Sequence, residues 1–178
     1  VRRGLGALAA LRAAGVRVVL VEGNRDFFLD SPALAPYLDA CGQAHSFTAG
    51  GRRFLLEHGD LINSRDRSYR LWRGISKSRT ARAWARWLPA AVALRIVTST
   101  EARLAQTNFS YRRTLPEGDL AAAARRHFAA GVDVVLWGHF HRAWRLESGG
   151  REARVLASWE ESGAVTWVDE RGHITESL

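Results

Sequence analysis

Two apolar, β-branched runs constrain the fold of this chain more than any other feature of its sequence. They are VRVVLV at residues 16–21 and VDVVLW at residues 132–137, and short runs of this kind are typical of buried strands. A segment with helical spacing precedes each run and ends at a glycine, Gly15 or Gly131. This alternation of helix and strand predicts an α/β fold, and the length of 178 residues predicts a single domain.

The remaining segments predict further elements. Residues 44–57 predict two strands joined at a glycine pair, and the C-terminal part predicts two hairpins with turns at Gly149-Gly150 and Arg171-Gly172. A short helix is predicted from Ser31 to about Ala40. Between about residues 64 and 115 the spacing is helical with almost no β character. We interpret this last segment as a helical cap inserted into the domain.

The net positive charge of the chain is concentrated in the helical insert. Between Arg65 and Arg113 there are twelve basic residues and two acidic ones, whereas the whole chain has a net charge of +8. An asymmetry of this size indicates an anionic partner: a nucleic acid, a phosphorylated substrate or an anionic membrane surface. A solvated helical face around a tryptophan core is the alternative interpretation. No apolar run reaches the ~18 residues of a membrane-spanning helix, and the single cysteine, Cys41, indicates a reducing compartment.

Three loops that follow apolar strands carry side chains of the metal-ligand type. They are Gly23-Asn24-Arg25-Asp26, His58-Gly59-Asp60 and Gly138-His139-Phe140-His141. Imidazole nitrogen with amide or carboxylate oxygen suits manganese, iron or zinc, and strand ends are where open α/β sheets bind ligands. In an extended segment His139 and His141 would point the same way, and would share one ion or reach neighbouring ions. Each loop alone also fits a solvated turn or a hydrogen-bonded histidine, but the three together predict a metal site.

The loop motifs resemble those of a known enzyme family. GN-x-D, HGD and GHFH, in this order and behind strands, are similar to the later motifs of the calcineurin-like metallophosphoesterases. The resemblance implies a β-sandwich flanked by helices and a two-metal centre that hydrolyses phosphoric esters or anhydrides. The earlier motifs of that family, Asp-x-His and Gly-Asp-x-x-Asp, do not occur in this chain, which also contains no methionine. We therefore expect an N-terminally truncated chain that is inactive alone and binds at most one metal weakly.

One branch of that family is the most similar. It hydrolyses the pyrophosphate of UDP-2,3-diacylglucosamine to UMP and 2,3-diacylglucosamine 1-phosphate in lipid A biosynthesis, and its loop has arginine where most of the family has histidine, as in GNRDFF here. The stretches HGDLINSRDRSYRLWR and LASWEESGAVTWVD also resemble this branch. The resemblance implies a lipid-linked nucleotide as substrate, no nucleic acid partner, and a cytoplasmic enzyme peripheral on the inner membrane. A general phosphodiesterase or nucleotide pyrophosphatase is the alternative, and a non-enzymatic basic binding module is a third interpretation.

The resemblance also implies the metal ligands. Asn24, His58 and His139 would hold one ion, and His141 would belong to the other. The implied cofactors are two divalent ions, expected to be manganese, with iron or zinc as alternatives.

Roles for the remaining site residues follow from the same resemblance. Arg25 would lie against the pyrophosphate and stabilise its charge, because a guanidinium keeps its proton at neutral pH. Asp26 would orient a histidine ligand, and Asp60 would either do the same for His58 or cap the next helix. The expected substrate contacts are Asp66, Tyr69 and Asn108.

Overall fold

The computed structural model describes most of the chain. The described residues are 2–24, 26, 29, 32–64, 66–85, 87, 89, 92, 95–96, 98–99 and 115–178. Arg25 and Asn108, two of the predicted site residues, lie outside them.

The chain divides into two compact units, one formed by Val1–Asp60 and Ala121–Leu178 and the other by Leu61–Leu120. The first unit is mixed α/β, with a multi-stranded sheet flanked by helices. Its strands are β1 (Val19–Val21), β2 (Ala40–Gly42), β3 (Ala44–Ala49), β4 (Arg52–Glu57), β5 (Val134–Trp137), β6 (Trp144–Ser148), β7 (Arg151–Val155), β8 (Val165–Val168) and β9 (Ile174–Ser177). Its helices are α1 (Arg2–Ala13), α5 (Trp159–Ser162) and α4 (Glu117–Ala129), of which the residues from Ala121 onward belong to this unit. The interpretation as one domain with a helical insert at about 64–115 stays a prediction.

A five-stranded sheet forms the centre of the first unit. Its strand order is β3-β4-β5-β7-β6, in which β4, β5 and β7 run parallel and the two outer strands are antiparallel to their neighbours. All four residues of β5 are buried, as the run VDVVLW predicts. Because the three parallel strands end at the same edge of the sheet, the loops that follow them are brought together there.

The two faces of this sheet are covered by different elements. On one face Phe54, Val134 and Leu136 form a buried cluster, against which Val168 and Ile174 of the β8–β9 hairpin pack. Side chains alternate along a strand, so the last residues of β4 and β5 point to the other face, where a side chain of α4 contacts them. The central strands therefore contribute to the core on both sides.

Local patterns near the N-terminus predicted the structure incompletely. α1 ends before Gly15, whose φ of 84° is easily adopted by glycine. In the C-terminal part, both predicted hairpins are confirmed. The helix predicted from Ser31 to about Ala40 is wrong, because among the described residues 32–40 only Pro32–Leu34 is helical, as a 3-10 turn. Ala40–Gly42 instead pairs in parallel with β1, so that pairing between distant segments outweighs the local preference.

The second unit contains α2 (Arg67–Ser76), α3 (Arg79–Ala85) and the first residues of α4. Among the described side chains of α2, Tyr69 and Arg73 are buried, whereas Leu71 and Ile75 are exposed. Trp84 and Trp87 are also exposed, at 73% and 88% of their surface, so these two tryptophans do not form the core that the alternative interpretation required. None of the described helices combines the length and the apolarity needed to span a bilayer.

Candidate metal centre

Three predicted ligands follow strands of the first unit. Asn24 comes three residues after β1, His58 follows β4 directly, and His139 comes two residues after β5. Since β4 and β5 are parallel neighbours whose last residues, Glu57 and Trp137, are register partners, the loops behind them begin side by side. The topology thus explains why His58 and His139, which are far apart in sequence, meet.

The side chains of these three residues converge. Nε2 of His58 lies 3.0 Å from Oδ1 of Asn24 and 3.2 Å from Nδ1 of His139. The two imidazole rings are 5.0 Å apart and nearly perpendicular, at 74°. All three residues are partly buried, which holds their polar atoms in a restricted space at the edge of the sheet.

The chemistry of this group fits a divalent cation. Nε2 of a neutral His58 carries either one proton or a lone pair, so it cannot donate a hydrogen bond to both neighbours at once. A cation satisfies all three atoms together, because ligand atoms about 2.1 Å from a metal lie about 3.0–3.4 Å from one another. Within the described ranges no group of three or more His, Cys, Asp or Glu side chains could hold a metal. The third donor here is the amide oxygen of Asn24.

Gly23 and Asp26 shape the first of these loops. The backbone N–H of Gly23 donates a hydrogen bond to Oδ2 of Asp26 over 2.8 Å. A Cβ at position 23 would lie 3.1 Å from Oδ2 of Asp26 and 3.1 Å from Cε1 of His58. Asp26 and His58 therefore both pack against this glycine, which has no side chain to displace them. The expectation that Asp26 orients a histidine stays a prediction.

The prediction that His139 and His141 point the same way assumed an extended segment, and this assumption is wrong. Both residues have positive φ angles, 69° and 54°, so the segment turns instead of extending and the side chains do not alternate. His139 contacts His58, whereas Nδ1 of His141 lies 2.7 Å from Oε1 of Glu161 on α5. A carboxylate on one ring nitrogen commonly fixes a histidine whose other nitrogen binds a metal. Sequence reasoning did not select Glu161, which lies six residues after β7, within α5.

Glu57 is a second residue that sequence reasoning did not select. Its Oε2 lies 3.2 Å from Nε1 of Trp137 and 3.2 Å from Nε2 of His127 on α4. Burial alone would raise the pKa of the Glu57 carboxyl, but its hydrogen bonds with His127 and Trp137 and the charge of His127 outweigh burial, and this pKa is lowered. Glu57 therefore remains a carboxylate beside the candidate site.

The predicted residues after β4 have local structural partners. Oδ1 of Asp66 accepts a hydrogen bond from the N–H of Tyr69 over 2.9 Å and caps α2. Asp60 is buried and does not cap α2, so that alternative for Asp60 is wrong. Orientation of His58 by Asp60, and substrate binding by Asp66 and Tyr69, stay predictions.

No family model matches the chain, but individual proteins do. A UDP-2,3-diacylglucosamine hydrolase of Stenotrophomonas maltophilia (strain R551-3) is 31% identical in an alignment that covers 97% of this chain and 74% of that protein. The protein of the same name from Edwardsiella ictaluri is 30% identical over 98% of this chain and 70% of its own length. That from Ralstonia nicotianae is 32% identical over 86% of this chain and 61% of its own length. With this similarity along almost its whole length, the chain belongs to the UDP-2,3-diacylglucosamine hydrolase family.

Proposed function

We propose that this protein hydrolyses the pyrophosphate of UDP-2,3-diacylglucosamine, releasing UMP and 2,3-diacylglucosamine 1-phosphate in lipid A biosynthesis. The observation that carries the proposal is the convergence of Asn24, His58 and His139, in which the imidazole of His58 lies within 3.2 Å of both other side chains. This arrangement of donors, in a chain of the UDP-2,3-diacylglucosamine hydrolase family, is suited to a metal-dependent phosphohydrolase.

The four donor side chains bind two divalent ions. Asn24, His58 and His139 hold one divalent ion, and His141, oriented by Glu161, belongs to a second. We expect manganese at both positions. Bound ions supply charge neutralisation at the phosphoryl oxygens and lower the pKa of water.

The remaining residues act on the substrate. Arg25 pairs with the pyrophosphate, where its permanent charge stabilises the negative oxygens without donating a proton. Asp26, which accepts the N–H of Gly23, orients a histidine ligand. Asp66, Tyr69 and Asn108 contact the substrate, and the arginines between residues 65 and 113 attract an anionic leaflet of the inner membrane, on its cytoplasmic side.

The test measures UMP release from UDP-2,3-diacylglucosamine by the full-length protein, with and without manganese. We expect manganese-dependent release by the wild type, and a loss of at least about a hundredfold in Arg25→Ala and in His139→Ala. His173→Ala is the matched control, because His173 is exposed and bonded to Asp169 in the β8–β9 turn. This control should retain wild-type release.

The other results discriminate among the interpretations. Release that survives His139→Ala would refute the metal centre. Hydrolysis of a simple aryl phosphodiester without UMP release would retain the metal centre and identify a general phosphodiesterase. No hydrolysis of either compound, together with intact binding to an anionic surface in His139→Ala, would identify a binding module.

A further inference from the structure

A carboxylate links the two strands that lead into the candidate metal centre. Glu57 and Trp137 are the last residues of β4 and β5 and are partners in the register of the sheet. Oε2 of Glu57 accepts a hydrogen bond from the indole N–H of Trp137 over 3.2 Å. The same oxygen lies 3.2 Å from Nε2 of His127, so that α4 is tied to both strand ends.

The indole in this link is fixed by its surroundings. Trp137 is completely buried, and its ring lies 6.0 Å from the ring of Trp144 and 6.2 Å from that of His127, measured between centroids. The side chain of Glu57 is 29% exposed. The donor is therefore held rigidly by packing, and it determines where the carboxylate can lie.

The link stands immediately before two of the candidate ligands. His58 is the next residue after Glu57, and His139 is the second residue after Trp137. The backbone ladder sets how far one strand is displaced along the other, and a side-chain bond between its last residues restrains the point at which each loop leaves its strand. The 3.2 Å separation between Nε2 of His58 and Nδ1 of His139 depends on where the two loops leave the strands. His139 also has a φ of 69°, a conformation that persists in non-glycine residues where neighbouring structure enforces it.

We propose that Glu57 and Trp137 are positioning residues, which set the spacing of His58 and His139 and thereby the affinity of the site for a divalent cation. This inference rests on one part of the proposed function, which is that His58 and His139 bind a divalent ion. Two apolar side chains would hold the strand ends together as well as a partly buried carboxylate does. The directional bond, however, restrains the two strand ends to one geometry, as an apolar pair does not.

The test measures the binding of Co²⁺ to the full-length protein by absorption titration. Trp137→Phe keeps an aromatic ring and removes the donor, and Glu57→Leu removes the acceptor. We expect each substitution to raise the Kd for Co²⁺ about tenfold or more, the usual effect of losing a residue that orients a ligand. Glu57→Gln retains an acceptor oxygen and should bind Co²⁺ nearly as the wild type does.

The control is Trp167→Phe, which removes an indole hydrogen bond to Ser177 in the β8–β9 hairpin and should leave the Kd unchanged. If Trp137→Phe lowers the Tm but binds Co²⁺ with the wild-type Kd, the contact is structural and the proposal is overturned. If Glu57→Leu does not fold, the comparison of Trp137→Phe with Glu57→Gln decides. Wild-type binding in His139→Ala would overturn the metal centre as well. Loss of binding in His139→Ala but not in Trp137→Phe would overturn this inference alone.

Discussion

The absence of a side chain at position 23 allows two predicted site residues to pack closely. Gly23 lies between Asp26, which accepts its N–H, and the ring of His58. A methyl carbon at this position would lie 3.1 Å from each neighbour, which is shorter than ordinary van der Waals contact. The consequence is that a single methyl group here would act on the loop and on a candidate ligand together.

We therefore expect Gly23→Ala to weaken the binding of a divalent ion about tenfold, because it displaces the imidazole of His58. Overpacking should also lower the free energy of unfolding by about 1–3 kcal/mol. Co²⁺ titration and urea unfolding of the full-length protein measure the two effects. Gly6→Ala is the matched control, since a methyl group there would meet no atom within 4 Å. An unchanged Kd in Gly23→Ala would contradict this account of the loop.

At the scale of elements, one carboxylate joins α1 to the segment that precedes β2. Oδ1 of Asp39 accepts hydrogen bonds from Nε and Nη2 of Arg12 over 3.0 and 2.8 Å, and Oδ2 accepts the N–H of Val18 over 2.7 Å. The bonds from Arg12 and then from Val18 lower the pKa of Asp39 below its ordinary value of 3.8. The carboxylate thus ties together the helix, the start of β1 and the start of β2.

This lowered pKa predicts a dependence of stability on pH. Because the pKa is lower in the folded protein than in the unfolded chain, the contribution of Asp39 is complete above the unfolded pKa. It is lost as the pH falls through the folded pKa. The free energies of unfolding of wild type and Asp39→Asn in urea should therefore differ at about pH 7, and the difference should begin to fall below about pH 4. Arg12→Gln should reduce the difference between the two, and a constant difference down to about pH 3 would contradict the prediction.

The sequence allowed some elements and site residues to be predicted because their signals are local. Apolar runs and glycine turns identified β5 and both hairpins, and polar residues behind strands identified Asn24, His58 and His139. Contacts between distant segments were not predictable in this way. Glu57 and Trp137 are 80 residues apart, and neither belongs to a local motif that would connect them. The positive φ angles of His139 and His141 likewise depend on the fold around the loop.

At the scale of the whole molecule, the basic residues are concentrated in one part of the chain. Twelve of the 26 lysine and arginine residues lie between Arg65 and Arg113, together with two acidic residues. In the described part of that segment, Leu71, Ile75, Trp84 and Trp87 are exposed. Exposed apolar side chains among cationic ones favour association with an anionic lipid surface.

We expect the full-length protein to sediment with vesicles that contain phosphatidylglycerol and to remain in the supernatant with phosphatidylcholine alone. Because the attraction is electrostatic and each basic residue contributes about 1 kcal/mol near the surface, binding should weaken as salt rises from about 0.1 to 1 M. Paired substitution of Arg67 and Arg70, both on α2, by glutamine should reduce binding at low salt. Equal sedimentation with both kinds of vesicle would contradict the prediction.

The parallel pairing of β4 with β5 has a consequence for how this protein can vary. The whole segment 58–133 is a single connection between two adjacent strands, and forming the His58–His139 contact requires that connection to close. For a flexible connection, the entropy of closure grows only with the logarithm of length, by about 0.6 kcal/mol for each doubling. Insertions or deletions in the parts of this connection outside its helices therefore carry little penalty for the histidine pair. We therefore expect relatives to differ in the length of this segment while keeping the ends of β4 and β5.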